Sequence, residues 1–376
     1  MNGGTISDCS AASGGGVYVT DGTASFVGAT VHHNDGGGIR IDAVSLTLFD
    51  TSVSHNVATL GGGIRVAAGG SVISTIAADG VSELSYNAAT SGGGIMIDAN
   101  ALVTITGPDV GFLRISSNEA SDDGGGIAVA PGALFDAQLS RVSIISNTAG
   151  DQGGGLATGS VALKGATVQR NRAASGAGLY ANCVPNPVLA CRIEETSFAF
   201  NVAELDGGAV ASGATGSINL VNVSSHDNRA KRGGALAAFG SASLRHTTSF
   251  EDVSRIGSTV AALGSSAYVQ FFNSALLGSC HTSSGGTLES MGGNAQLAGA
   301  ASCALTHPED LGTVTAAQAA AAYGNYGGGF SVVGIDAASV LANAGKADWC
   351  EQYDVRGYVR QHPCDIGAFE FGGTPR

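Results

Sequence analysis

Four charged residues are candidates for chemistry because they occupy matching places in a repeated pattern. They are the second or fourth residues of short alternating stretches, Ile39-Arg40-Ile41-Asp42, Ile64-Arg65-Val66 and Ile95-Met96-Ile97-Asp98. Stacked strands would place Asp42 and Asp98 about 10 Å apart. This separation is at the upper end of the range between the two catalytic carboxylates of inverting glycosidases. Arg40 and Arg65 would bind an acidic sugar. The pattern therefore allows an active site, and surface ion pairing is the alternative.

A second group has the chemistry of a metal site. His33 and His55 occupy equivalent positions in consecutive copies of the repeat, and Asp8 occupies that position in the copy before them. Imidazole and carboxylate groups are common ligands of first-row transition metals. A site would require all three side chains to point outward. These residues are the candidates, but we assign no metal and no cofactor.

Other candidate groups carry less specific chemistry. Asp122, Asp123 and Asp151 lie near two predicted corners and offer oxygen ligands to an adventitious ion. Tyr180 and the proline-containing stretch after it are candidates for ligand contacts. The sequence contains no Gly-x-Ser-x-Gly elbow, no phosphate loop and no Gly-Gly-x-Gly-x-Asp calcium repeat.

A tract of three small residues followed by an apolar residue must position these side chains. The copies occupy residues 14–17, 36–39, 61–64, 92–95, 124–127, 153–156, 176–179, 207–210, 233–236 and, less regularly, 257–260. Successive copies begin about 22 to 32 residues apart, which is the range of solenoid repeats. Apolar and polar residues alternate after each tract, as in a strand with one buried face.

An asparagine precedes most of these tracts and marks an earlier corner. The asparagines are Asn34, Asn56, Asn87, Asn118, Asn147, Asn171, Asn201 and Asn228. Stacked in a column, their side chains would donate and accept hydrogen bonds and satisfy the backbone of the turns. Cys9 takes this place in the first copy and is expected to be buried there. An apolar residue stands three positions earlier in most copies, but Ser225 departs from the pattern.

Composition and periodicity together predict the fold. The chain of 376 residues has 59 glycines, 44% hydrophobic residues and 12% charged residues, which excludes disorder, and the glycines lack the period of collagen. Strands that repeat without intervening helices favour stacked parallel coils. Glycine suits a corner that needs a positive φ and close neighbours. We therefore predict an all-β, right-handed parallel β-helix, a single solenoid of about ten coils.

The repeat predicts two regions, the β-helix over residues 1–279 and an irregular closing segment over residues 280–376. A closing segment would cover strand edges that the last coil otherwise exposes. The alanine-rich stretch 316–322 predicts a short helix. We expect Arg356 and Arg360 to form ion pairs with nearby carboxylates, such as Asp354, Asp365 or Glu370.

Six of the seven cysteines fall into local groups. The expected disulfides are Cys183–Cys191, Cys280–Cys303 and Cys350–Cys364, and the alternative is buried free thiols. No Cys-x-x-Cys spacing is present, so zinc binding and thioredoxin-like chemistry are not expected. Three disulfides would place the chain in an oxidising compartment, and the first would pin the loop that holds two prolines.

Two resemblances extend this interpretation. The chain resembles bacterial polymorphic-membrane-protein repeats through Gly207-Gly208-Ala209-Val210, Gly233-Gly234-Ala235-Leu236 and Phe198-Ala199-Phe200-Asn201. Its ending, with Asp354-Val355-Arg356-Gly357 and Cys364-Asp365-Ile366-Gly367-Ala368-Phe369-Glu370, resembles that of bacterial extracellular β-helix proteins of the choice-of-anchor type. The resemblances imply an exported, surface-associated right-handed β-helix. Neither an export leader nor an anchor is evident, and the start resembles a truncated repeat.

These observations favour a non-enzymatic secreted or surface protein, adhesin-like or structural, that binds an envelope or host ligand. The alternative is a lyase or hydrolase that acts on an acidic glycan along the first strand of each coil. A net charge of −13 argues against nucleic acid as a partner, and no apolar run is long enough to span a membrane. Carbohydrate or a surface protein is the expected partner, and we expect a monomer.

Overall fold

The chain folds almost entirely into parallel β-strands. The computed structural model describes residues 1–42, 45–67, 73–106, 111–131, 133–183 and 191–376. These form two compact units, residues 1–181 and 182–376. Parallel strands stack as a β-solenoid of about nine turns, which confirms the predicted fold class. The right-handed sense stays a prediction. In the described part of the chain, no helix is long and apolar enough to cross a membrane.

The strands of the first unit form three parallel sheets. We call the strands after the glycine tracts the tract sheet: Val17–Val19, Ile39–Asp42, Ile64–Ala67, Ile95–Ile97, Ile127–Val129, Leu156–Thr158 and Leu179–Ala181. The wide sheet contains Thr5–Ser7, Thr23–Val27, Thr30–His32, Ser45–Phe49, Ser52–Ser54, Ile73–Ser85, Leu102–Thr106, Gly111–Ser116, Leu134–Ile145 and Ala162–Gln169. The corner sheet, after the asparagines, contains Ala88–Ala89, Glu119–Ala120, Thr148–Ala149 and Arg172–Ser175.

The second unit repeats this plan. Its tract sheet contains Val210–Ser212, Leu236–Ala238, Val260–Leu263 and Cys280–Ser283. Its wide sheet contains Cys191–Ala199, Ser217–His226, Ser241–Arg245, Thr248–Phe250, Tyr268–Phe272, Ala275–Leu277, Thr287–Ser290, Ala295–Leu297 and Gly312–Val314. Its corner sheet contains Val202–Asp206, Arg229–Arg232 and Val253–Ile256. Parallel pairing therefore continues past residue 279.

The register of the tract sheet follows the alignment of the glycine tracts. Ile39 pairs with Ile64, Ile64 with Ile95 and Ile95 with Ile127, so the first apolar residue of each tract stacks on the next. Their side chains are at most 1% exposed and form part of the hydrophobic core. The neighbouring residue in each strand consequently points out of the coil.

The glycine tracts turn the chain where no larger residue fits. Gly92 has a φ of +68°, in the left-handed region. A Cβ atom on Gly93 would lie 2.5 Å from the carbonyl oxygen of Glu119 on the next turn. Both predicted reasons for glycine, a positive φ and close approach between turns, are therefore present at this corner.

The asparagines form a hydrogen-bonded ladder inside the corners of the first unit. The backbone N–H and the side-chain Nδ2 of Asn56 both donate to Oδ1 of Asn87, each at 3.0 Å, and Nδ2 also donates to the carbonyl of Val31. The backbone N–H of Cys9 donates to Oδ1 of Asn34, so Cys9 stands at the first position of the ladder. The prediction that Cys9 is buried is wrong, because its side chain is exposed.

The end of the second unit leaves the solenoid pattern after Val314. A helix spans Ala316–Ala319 and begins at Thr315, whose side chain accepts a hydrogen bond from the Gln318 N–H. The predicted helix to residue 322 is too long, because Ala320 has a φ of +46° and ends it. The chain then forms an antiparallel pair of strands, Ala321–Gly324 and Val332–Ile335, and a 3-10 turn at Ala347–Trp349.

Three disulfide bonds are present, and they are the predicted ones. They join Cys183 to Cys191, Cys280 to Cys303 and Cys350 to Cys364. Cys9 is a free cysteine. The loop that the first disulfide was expected to pin, residues 184–190, lies outside the described residues. Disulfides persist in oxidising compartments, so they indicate an oxidising environment for this chain.

Candidate functional site

The outward row of the tract sheet in the first unit brings the predicted charged residues together. Tyr18 pairs with Arg40, Arg40 with Arg65 and Arg65 with Met96 on successive turns. Tyr18 is 50% exposed, whereas Met96 and the next residue of the row, Ala128, are each less than a tenth exposed. We therefore call Tyr18, Arg40 and Arg65, with Asp42 and Asp98 beside them, the tract face.

The charges of the tract face form two arginine–carboxylate pairs. Arg40 Nε lies 3.0 Å from Asp42 Oδ1, and Arg65 Nη2 lies 2.7 Å from Asp98 Oδ2. Each arginine makes a second hydrogen bond to its carboxylate, at 3.2 Å from Arg40 Nη2 and 3.1 Å from Arg65 Nε. All four side chains are between 17% and 25% exposed, so the pairs are partly shielded from water.

Tyr18 completes the environment of Asp42. Its hydroxyl donates to Asp42 Oδ2 at 2.6 Å, and the Arg40 guanidinium lies 4.7 Å from the centre of its ring. Partial burial by itself would raise the pKa of Asp42, but hydrogen bonds from Arg40 and Tyr18 and the positive charges of Arg40 and Arg65 lower it overall. Asp42 is therefore held as a carboxylate, which is unsuited to the work of a general acid.

The histidines proposed as metal ligands form a column of rings on the surface of the first unit. His33 and His55 stack at 5.0 Å between ring centres, and Tyr86 continues the stack 5.1 Å from His55. Each of the three has a φ near +55° and directly precedes an asparagine of the ladder. His32 lies against the edge of His33, with their Nδ1 atoms 2.5 Å apart. Asp8, also exposed with a positive φ, holds the same place one turn earlier.

Among the described residues, the group of three whose metal-binding atoms lie closest together is Asp122, Asp123 and Asp151. These atoms all lie within 4.8 Å of one another. Burial and then the negative charges of Asp122 and Asp151 raise the pKa of Asp123, although its hydrogen bond from the Gln152 N–H opposes this. The arrangement offers oxygen ligands of the kind that Ca²⁺ prefers.

Tyr180 lies at the end of the outward row of the first unit. It pairs with Ala157 on the preceding turn and is only partly exposed. The proline-containing stretch that follows falls within residues 184–190, outside the described part of the chain. The contact role predicted for Tyr180 stays a prediction.

The charged residues near the C-terminus hold the closing segment of the second unit. Arg356 pairs with Asp354 at 2.6 Å, and Arg360 pairs with Glu370 at 3.0 Å. The side chains of Arg360 and Glu370 are fully buried, and Arg360 Nη2 also donates to Asn222 Oδ1 and to the carbonyls of Gly367 and Ala368. The predicted ion pairs are present, and these hydrogen bonds indicate a structural role for them.

Two features of the second unit escaped the sequence interpretation. Asp252 continues the asparagine ladder, because its Oδ1 accepts from the N–H of Asn228 at 2.9 Å. Ser225, the exception in the apolar pattern, donates to Oδ2 of the same carboxylate. The ring of Tyr323, in the antiparallel strand pair, stacks on buried His226 at 4.3 Å. The exception at Ser225 was the only sequence signal for the first feature.

Comparison of the chain with protein-family models and with curated proteins finds no match. The tract face and the chemistry of its residues are therefore the main structural indication of function.

Proposed function

We propose that this chain is a non-enzymatic, secreted or cell-surface β-solenoid protein, adhesin-like or structural, which binds an envelope or host ligand through the tract face. The three disulfides support an oxidising location. The resemblance to extracellular β-helix proteins supports a surface role. Within each unit, the described turns are joined to one another by parallel strand pairing, which provides a regular scaffold for this role.

The pairing of Asp42 with Arg40 carries the proposal. A glycosidase needs one carboxylic acid with a raised pKa beside a second, ionised carboxylate. The pKa of Asp42 is lowered instead, and Asp98 is held by two hydrogen bonds from Nε and Nη2 of Arg65. A surface of this kind binds polar ligands through paired charges, and Asp42, which is held as a carboxylate, does not supply the proton that hydrolysis of a glycosidic bond needs.

The chemistry of the tract face suits carbohydrate. Tyr18 presents a half-exposed ring with a polar tip, and the guanidinium and carboxylate groups beside it offer hydrogen-bond donors and acceptors. A surface protein that presents similar polar groups is the other partner that this face would accept.

Binding of the purified chain to an array of neutral and acidic glycans tests the proposal. We expect retention of one or more glycans, and we expect Tyr18→Ala to weaken that retention about tenfold because it removes the exposed ring. Tyr86→Ala is the matched control, since Tyr86 is an exposed tyrosine of the same unit that lies outside the tract face. Equal retention by the Tyr18 variant and the wild type would contradict the assignment of this face.

A further inference from the structure

The corner sheet of the second unit brings two cationic side chains side by side. Arg229 pairs with Val253, Ala230 with Ser254 and Arg232 with Ile256 on the next turn. Lys231 and Arg255 lie between these pairs, on strands about 4.8 Å apart. Both side chains are exposed.

The two cations differ from their arginine neighbours because they lack a carboxylate partner. Arg232 is paired with Asp206 at 2.5 Å, and Arg229 is paired with Asp227 at 3.0 Å. Within the described ranges, neither Lys231 nor Arg255 forms an ion pair. Like charges on adjacent strands repel each other, so this position is unfavourable unless an anion lies between them. The chain as a whole carries a net charge of −13, so two adjacent cations without an ion-pair partner among the described residues are unusual in it.

These side chains border a surface pocket of about 270 Å³, which we call the corner pocket. Its lining is Leu205, Lys231, Arg232, Arg255 and Ile256. Leu205 is 44% exposed and Ile256 is 36% exposed, so an apolar surface lies beside the two free cations. The pocket therefore combines a site for a negative charge with a site for C–H groups.

We propose that the corner pocket binds one unit of an acidic saccharide, with its carboxylate or sulfate between Lys231 and Arg255 and its C–H face against Leu205 and Ile256. Two aliphatic side chains in an open pocket do not bury an acyl chain. Glu204 is exposed on the adjacent strand Val202–Asp206, and Glu251 is exposed two residues before Val253–Ile256. Their charges favour a ligand that places a single negative charge at the pocket over a closely spaced chain of phosphates. The site lies in a different unit from the tract face and does not depend on the function proposed for that face.

Calorimetry on the full chain tests the corner pocket. The probes are a short oligogalacturonate, a sulfated disaccharide, and a neutral oligosaccharide of the same length. We expect one of the acidic probes to bind and the neutral probe not to bind. In the Lys231→Gln and Arg255→Gln double variant, we expect affinity for that acidic probe to fall about tenfold, and wild-type affinity to fall as salt rises. Arg192→Gln is the control, because Arg192 is an exposed arginine of the same unit outside the pocket.

Leu205→Ser tests the apolar part of the pocket. We expect it to weaken binding of the acidic saccharide and to leave binding of inorganic sulfate unchanged. Failure of both acidic probes to bind, equal binding of the neutral probe, or unchanged binding by the double variant would each overturn the proposal. The same titrations are repeated in the Tyr18→Ala variant, whose tract face is weakened. The acidic probe should still bind there, and the Lys231→Gln and Arg255→Gln changes should still weaken it, which separates this result from any result at the tract face.

Discussion

Asp252 occupies a ladder position that other turns fill with asparagine, and it is buried there. Its Oδ1 accepts from the N–H and Nδ2 of Asn228, and its Oδ2 accepts from the hydroxyls of Ser225 and Ser249. Burial raises its pKa from 3.8 to about 6, because these hydrogen bonds only partly offset the loss of water. An asparagine would accept the same backbone hydrogen bond without a charge.

Asp252→Asn is expected to stabilise the chain at neutral pH. The folded pKa of about 6 lies above the unfolded value of 3.8, so the stabilising contribution of Asp252 is complete below pH 3.8 and is lost as the pH rises through 6. The loss amounts to at most about 3 kcal/mol. The urea midpoint of the variant should therefore exceed that of the wild type at pH 7, and the difference should shrink towards pH 4.

Asp348→Asn is the matched control for this experiment, because Asp348 is an exposed carboxylate of the same unit. Its urea midpoint should follow that of the wild type at both pH values. A difference between Asp252→Asn and the wild type that is the same at pH 4 and pH 7 would contradict the account of the buried charge.

The elements of the solenoid were predictable because each turn repeats the same local chemistry. The tracts align Tyr18, Arg40 and Arg65 on consecutive strands, and this register is the one observed. Helix propensity alone misplaced the end of the alanine-rich helix. Ala320 adopts a left-handed conformation, and Ala321 pairs with Ile335 in a strand. Nothing in a run of alanines indicates that one of them will adopt this left-handed conformation and end the helix.

Contacts that occur only once, and are not repeated from turn to turn, could not be predicted from the sequence. Tyr323 stacks on His226 although the two are far apart in the sequence, and no repeat relates their segments. The adjacency of Lys231 and Arg255 depends on the register of the corner sheet, which shifts between Val202 and Asp206 on the preceding turn. The asparagine pattern also concealed Asp252, because its carboxylate oxygen accepts the same backbone hydrogen bond as an asparagine oxygen.

Gly93→Ala tests the account of the corners. The added Cβ would lie 2.5 Å from the Glu119 carbonyl oxygen, so the turns must move apart, and we expect a loss of about 2 kcal/mol or more in the free energy of unfolding. Gly159→Ala is the control in the same unit, because its Cβ would lie no closer than 3.7 Å to another atom. Urea denaturation followed by circular dichroism measures both.

The control should change stability by less than about 0.5 kcal/mol. Equal stabilities of the two glycine variants would mean that the spacing between turns does not require glycine at Gly93.

On the scale of the whole molecule, each of the two units carries a different surface. The first unit presents arginine–carboxylate pairs around Tyr18, which are internally neutral. The second unit contains the three disulfides and presents the positively charged corner pocket. Both surfaces are consistent with a protein that binds polar ligands without cleaving them.

The most direct measurement is to incubate the full chain with the acidic and neutral glycans that it retains, and to follow new reducing ends and unsaturated products over time. We predict retention without cleavage, because Asp42 and Asp98 are held by arginines. Products that appear with the wild-type chain and disappear with Asp42→Ala would contradict binding without cleavage and would assign an enzymatic activity to the tract face.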